Sequence, residues 1–422
     1  TPLYSSAASD VYKRQIYKKR TINEVLEALP RSGIRCVTEK AMSMSDEGKK
    51  IIHLGFGQPQ EPPCEEICEA VARAARDGLM AYTENSGFPE LKFSVVDKLR
   101  KKNNVEVDSA GIFVTPGATY GVAIVVGCLI NPGDEVLVPD PGYPNFSAIV
   151  KHYGGVPRYY LLEEEKNYQP SLDLIRSKIT SATKAIILNS PSNPTGSVLS
   201  RDILEQIIDF AKEHGLWVIS DEVYEDYVYG VPHVSPLSFP ESDHVIGIYS
   251  FSKSYNMTGL RVGYIATRDG LLQNALLKAQ ELYISCAPST SQIAAHYALT
   301  HCMNYIDKMN NVYQRKRDLV CALLGPHIKS VPDGAFYVLV DVGFTGLRSN
   351  EIADGLLENR QVAVVPGETF GPSGEKYIRL AYTTREDLLE TGISRFKEYL
   401  NEISRKSSRS GHVVNYRFAS TP

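Results

Sequence analysis

Val245–Tyr249 (VIGIY) carries no charge over five residues and runs straight into Ser250–Lys253 (SFSK), with Arg261 eight residues further on. A compact uncharged run of that length reads as a buried strand, and the residues just past it stand at the strand's carboxyl end. Four more short apolar runs precede it: Gly111–Thr115 (GIFVT), Glu135–Val138 (EVLV), Lys184–Leu188 (KAIIL) and Leu216–Ile219 (LWVI). Amphipathic helical patterns lie between them, such as Ser200–His214, which opens on a candidate Ser cap and stops at Gly215. Near-continuous apolar strands alternating with helices predict an α/β fold whose mostly parallel sheet is covered by helices on both faces. Beyond Ser289 the pattern changes. Long helical stretches run to Leu324, followed by Phe336–Asp341 (FYVLVD) and Val362–Val365 (VAVV), which predicts a second, smaller α+β domain.

The length of 422 residues favours two domains. With 45 Lys and Arg against 49 Asp and Glu, the net charge of −4 gives no electrostatic reason to expect nucleic-acid binding. At 43% hydrophobic and 22% charged residues the composition is globular, which excludes global disorder. The longest apolar stretch, Val122–Ile130, is far shorter than the ~20 residues of a membrane helix, and no signal-peptide pattern is visible. The seven cysteines are scattered without a C-x-x-C, and a chain this long needs no disulfide to hold its core, so the expected compartment is the cytoplasm. Thr1–Gln15 reads as a non-native or disordered N-terminus, and residues 402–422 as a disordered tail.

In an open parallel sheet, ligands bind at the carboxyl ends of the strands. The residues found there are Pro116–Thr119 (PGAT), Pro139–Tyr143 (PDPGY), Asn189–Gly196 (NSPSNPTG), Ser220–Tyr224 (SDEVY) and Ser250–Lys253. Small residues opening a helix at Gly117, Ala118 and Thr119 suit a phosphate. No P-loop, dinucleotide fingerprint, H-E-x-x-H or G-x-S-x-G pattern competes. A lysine that forms a Schiff base, with an acid to face a pyridinium nitrogen, is the signature of pyridoxal phosphate.

The set GQP (Gly57–Pro59), YTENSGFPELK from Tyr82, NPTG (Asn193–Gly196), SDEVY, SFSKSYNMTGLR (Ser250–Arg261), VVPG (Val364–Gly367) and IRLAY (Ile378–Tyr382) resembles the class I/II, fold-type I pyridoxal-phosphate aminotransferases. The likeness runs from about Ser32 to Leu400. It implies a large domain with a mostly parallel seven-stranded sheet over residues 61–300, and a small domain made of residues 16–60 and 301–401. It implies amino transfer from an L-amino acid to a 2-oxo acid through a Lys253 Schiff base and a pyridoxamine phosphate intermediate. A lyase of the C–S or β-elimination type would use the same cofactor residues, and a non-catalytic regulatory domain is the third possibility.

Residue by residue, the resemblance makes Lys253 the Schiff-base lysine and Asp221 the partner of the pyridine nitrogen. Tyr224 and Asn193 become donors to the phenolic oxygen. Ser250, Ser252, Arg261 and the turn at Gly117, Ala118 and Thr119 form the phosphate cradle, with Tyr143 stacked over the ring. Arg379, Asn193 and Gly57 clamp the substrate carboxylate. Tyr82 reaches the phosphate of a neighbouring subunit, which implies a homodimer. Aspartate-specific relatives place a Lys at the position of Thr119 and a Thr at that of Ile34. Burying a distal carboxylate unpaired is costly, so neutral or aromatic donors are expected to outperform aspartate, unless Arg35 compensates.

Overall fold

The computed structural model describes residues 22–409, with side chains through residue 405. Both expected chain ends therefore lie largely outside the described residues. The described residues fall into two compact units that divide between Arg31 and Ser32. The first contains the short helix Glu24–Ala28, capped by the Asn23 side chain. All that follows concerns the second unit.

Its twelve strands are β1 (Ile52–His53), β2 (Ile112–Thr115), β3 (Glu135–Asp140), β4 (Val156–Leu161), β5 (Thr183–Asn189), β6 (Trp217–Asp221), β7 (Val245–Ser250), β8 (Gly263–Ala266), β9 (Tyr337–Asp341), β10 (Val362–Ala363), β11 (Val365–Pro366) and β12 (Tyr377–Ala381). Seven of them form one sheet in the order β2-β8-β7-β6-β5-β3-β4. The pairs from β7 to β4 are parallel, and β8 alone runs antiparallel to both of its neighbours. Alternate side chains divide between two cores, as a period of two requires. Phe113, Val138, Ile187, Ile219, Ile248 and Ile265 face one core. Val114, Leu137, Ile186, Val218, Tyr249 and Tyr264 face the other. Burial on both faces is what makes these strands legible as unbroken apolar runs.

Two strands of this sheet escape the sequence pattern. β4 is an edge strand, mostly exposed or half-buried and interrupted by Pro157, so it lacks a continuous apolar signal. β8 is only four residues long. The expected run Val362–Val365 is split between two sheets, β10 pairing with β1 and β11 with β12. The three-stranded sheet β11-β12-β9 is antiparallel and packs with the helices Met303–Leu324, Ser349–Arg360 and Glu386–Arg409 around a third core.

The long helical pattern from Ser289 is broken at Cys302 into the helices Ser289–His301 and Met303–Leu324. Cys302 is bonded to Cys64, whose Cα lies 6.3 Å away. A chain of this length needs no disulfide to hold its core, yet one is present: the bond joins the start of the helix Glu65–Arg76 to the end of Ser289–His301. A correction concerns the tail expected from residue 402. The last helix continues through Arg409, with Ile403 still packed on the third core and the Ser404 hydroxyl donating to the Leu400 carbonyl.

Candidate active site

The residues past the carboxyl ends of β2, β3, β5, β6 and β7 converge on a cavity of about 650 Å³. At one end the helix Ala118–Leu129 begins without a side-chain cap, so its first N–H groups have no acceptor from the capping residue Gly117. Gly117 has φ of 86°, and a Cβ there would stand 2.4 Å from Nη2 of Arg261. Glycine is required on both counts. The Arg261 guanidinium donates only to carbonyls, that of Thr258 at 2.9 Å and that of Pro116 at 3.4 Å, and has no ion-pair partner among the described residues. Ser250 caps the short helix Phe251–Ser254 by accepting from the Ser252 N–H. Thr119, Ser250 and Ser252 line the same cavity.

Lys253 projects from that short helix and donates to the Gly57 carbonyl at 2.7 Å. Burial, with the charges of Arg379 and Arg261, brings its amine down to about 8, and Asp221 opposes the shift. Asp221 ends β6 beside Asn189, its register partner on β5. Burial pushes its carboxyl up to about 7, against a hydrogen bond from the Val223 N–H. Tyr224 is buried, and its hydroxyl meets that of Tyr337 at 2.9 Å. Burial holds the phenol well above its ordinary range.

Arg379, on β12, is only 1% exposed and has no carboxylate partner among the described residues. It donates to the Asn193 side-chain oxygen at 3.0 Å and to the Gly55 carbonyl, and its Nε has no hydrogen-bond partner among the described residues. The ring of Tyr337 lies 4.5 Å and that of Phe370 4.8 Å from the guanidinium. A buried cation left in this state is expensive for the chain alone. Its geometry suits a bidentate anion.

Gly57 sits against Tyr337, whose hydroxyl would lie 2.0 Å from a Cβ at that position. Tyr143 lines the cavity half-buried, packed edge-on to Phe146 at 5.5 Å. Ser32, Ile34 and Arg35 line it too, so the segment expected to meet the substrate side chain is brought to Thr119 and Tyr143. Tyr82 is the exception: it is 86% exposed and lines no part of this cavity.

Two residues are additions to the sequence reading. Asn189 accepts from the Asn193 N–H at 2.8 Å and donates to the Asp221 carbonyl at 3.0 Å, tying two strand ends together. Its signal was its place as the first residue of the NSPSNPTG turn. Tyr337 had none, since an aromatic opening an apolar run reads as core.

The family model for aminotransferase class I and II matches residues 49–396. The chain belongs to this family. Similar relatives include a probable aspartate/prephenate aminotransferase of Aquifex aeolicus, 37% identical and covering 87% of this chain and 95% of the relative. Another is aromatic-amino-acid aminotransferase 2 of Thermococcus litoralis, 34% identical over 90% of this chain and 98% of its own. Among solved structures, aspartate aminotransferase from Thermus thermophilus with maleate superposes with a TM-score of 0.86 at 30% identity, over 90% of this chain and all of that one. The protein is a transaminase, and pyridoxal 5'-phosphate is the cofactor of its class. The donor set fits that cofactor. An unpaired guanidinium beside an uncapped helix start suits a phosphate. A buried carboxylate suits a ring N–H, and a depressed amine suits a carbonyl carbon.

Proposed function

We propose that this aminotransferase moves an amino group from an L-amino acid with a neutral or aromatic side chain to a 2-oxo acid, with Lys253 as its catalytic amine. The observation that carries the reading is the meeting in one cavity of that depressed amine and the buried, acid-free guanidinium of Arg379. Bound pyridoxal phosphate supplies the carbonyl carbon for the amine and a protonated ring that takes up the electron pair released at the substrate Cα. Arg261, Ser250, Ser252 and the N–H groups of Ala118 and Thr119 hold the phosphate. Asp221 keeps the proton on the ring nitrogen, and Tyr224 and Asn193 donate to the phenolic oxygen. Tyr143 covers the ring. Arg379, Asn193 and Gly57 orient the substrate carboxylate, while Lys253 takes the Cα proton as a neutral base.

The same reading assigns residues 61–300 to the cofactor domain, and residues 16–60 with 301–401 to the smaller one. It makes the active unit a homodimer in the cytoplasm. Exposed Leu79, Met80, Tyr82, Leu282 and Tyr283 support the dimer. They lie on adjoining segments, joined by the Asn85 amide donating to the Ser285 carbonyl at 2.8 Å. Among the described residues, no helix is long and apolar enough to cross a membrane.

Arg35 favours a second reading of the donor. Arg35 lines the cavity, has no ion-pair partner among the described residues, and its charge helps depress Lys253. A distal carboxylate would find a partner there. Half-reactions of the holoenzyme with alanine, methionine, phenylalanine and aspartate, followed by cofactor absorbance, decide between the two. Aspartate preferred by about tenfold, ~1.4 kcal/mol, selects the second reading. With a cysteine thioether as substrate, free ammonia and thiol released together with the 2-oxo acid, the cofactor keeping its aldehyde absorbance, select a lyase.

A further inference from the structure

Tyr337 opens β9 at the cavity wall, and the roles above leave it without a task. Three contacts fix it. Its hydroxyl stands 2.9 Å from that of Tyr224, the two rings meet edge to face at 5.5 Å, and the Arg379 guanidinium lies 4.5 Å from its centroid. Each phenol has one hydrogen to give. A Tyr224 that gives its hydrogen to the cofactor can only accept from Tyr337. We propose that Tyr337 is a positioning residue: it donates its hydroxyl hydrogen to the Tyr224 oxygen and thereby turns the Tyr224 hydrogen into the cavity, toward the phenolic oxygen of the cofactor. This rests on the reading of Tyr224 as that oxygen's donor. Donation into Tyr224 also polarises its hydroxyl, which strengthens what it gives in turn.

The test is a pH titration of bound-cofactor absorbance in holoenzyme carrying Tyr337→Phe, Tyr224→Phe, or both. A hydrogen bond to the ionised oxygen favours ionisation, so weakening it raises the apparent pKa. Tyr337→Phe keeps the ring under Arg379 and removes only the hydroxyl. It is expected to raise the pKa by roughly 0.3–1 unit, the shift that matches a net hydrogen bond of ordinary strength. Tyr224→Phe is expected to raise it further, and the double variant no further than Tyr224→Phe alone. The KM for the amino acid stays within about twofold in Tyr337→Phe, because Arg379 keeps its platform. A shift under about 0.2 unit in Tyr337→Phe alongside a clear rise in Tyr224→Phe overturns the role of Tyr337 alone, as does an additive double variant. No rise in Tyr224→Phe overturns both readings.

Discussion

Arg379→Met removes the buried guanidinium and keeps an unbranched side chain of similar reach. In turnover, the lost partner is the fork proposed to face the substrate carboxylate. Breaking a buried, hydrogen-bonded charge pair costs roughly 3–5 kcal/mol, which is about 10²–10⁴ in kcat/KM. The ligand-free fold responds differently. Arg379 is 1% exposed, with an unpartnered Nε and no acid beside it, so the variant removes an uncompensated cation. Against that relief stand two hydrogen bonds, to Asn193 and Gly55, worth ~1.5–3 kcal/mol each to a charged donor. The terms oppose one another, so the ligand-free melting temperature is expected to move little while catalysis collapses. The assay pairs the best amino acid with the amine made by deleting its carboxyl group. The amino acid should fall by at least about 10², and the amine, already poor, should hold its rate. An amino-acid kcat/KM within about threefold of wild type, or an amine that falls in parallel, refutes the argument.

Asp221→Asn keeps the shape and removes the charge, and should lower turnover by roughly 10²-fold or more; single-turnover rates at saturating cofactor measure it. Gly117→Ala meets both the positive φ and the Arg261 Nη2 at 2.4 Å, so it should weaken cofactor affinity at least about tenfold, read by equilibrium dialysis. In the cofactor-free chain, burial raises Asp221 from 3.8 to about 7, so the folded state holds an extra proton and stability falls as pH rises through that window. Burial lowers Lys253 from 10.5 to about 8, so stability recovers as pH rises from 8 toward 10.5. Urea midpoints should dip between about pH 7 and 8, and Lys253→Met should flatten the alkaline limb.

The sheet was legible in the sequence where burial on both faces left unbroken apolar runs, as at Ile186–Leu188 or Val245–Ile248. Where one face is wet, as in β4, or the strand is four residues long, as in β8, the period carries too little signal. Ala118, Tyr143, Asn193, Asp221 and Lys253 were legible because each follows a readable strand in a turn of distinctive composition, whereas Gly57 and Arg379, the latter inside β12, were identified by motif. Tyr337 and the disulfide between Cys64 and Cys302 were not legible. Both depend on elements distant in sequence coming together, and local pattern holds no trace of that. Tyr82 too could be identified only by its motif, and it stands 86% exposed.

The reversed direction of β8 sets how the two grips on the ligands are assembled. Chain leaving β7 at Ser250 returns to the same sheet edge at Gly263, where Ser250 and Gly263 are paired. Lys253 and Arg261 therefore share one short excursion, closed at its base by neighbouring strands. Closing so short a loop costs little entropy, and its contacts are local, of the kind that form early. The substrate grip has the opposite character. Arg379 reaches Asn193 and Gly55 across 186 and 324 positions of chain, and it exists only once β12 has found its place. On the roles proposed above, the amine and the phosphate guanidinium sit on one local clasp, whereas the grip on the substrate carboxylate is long-range.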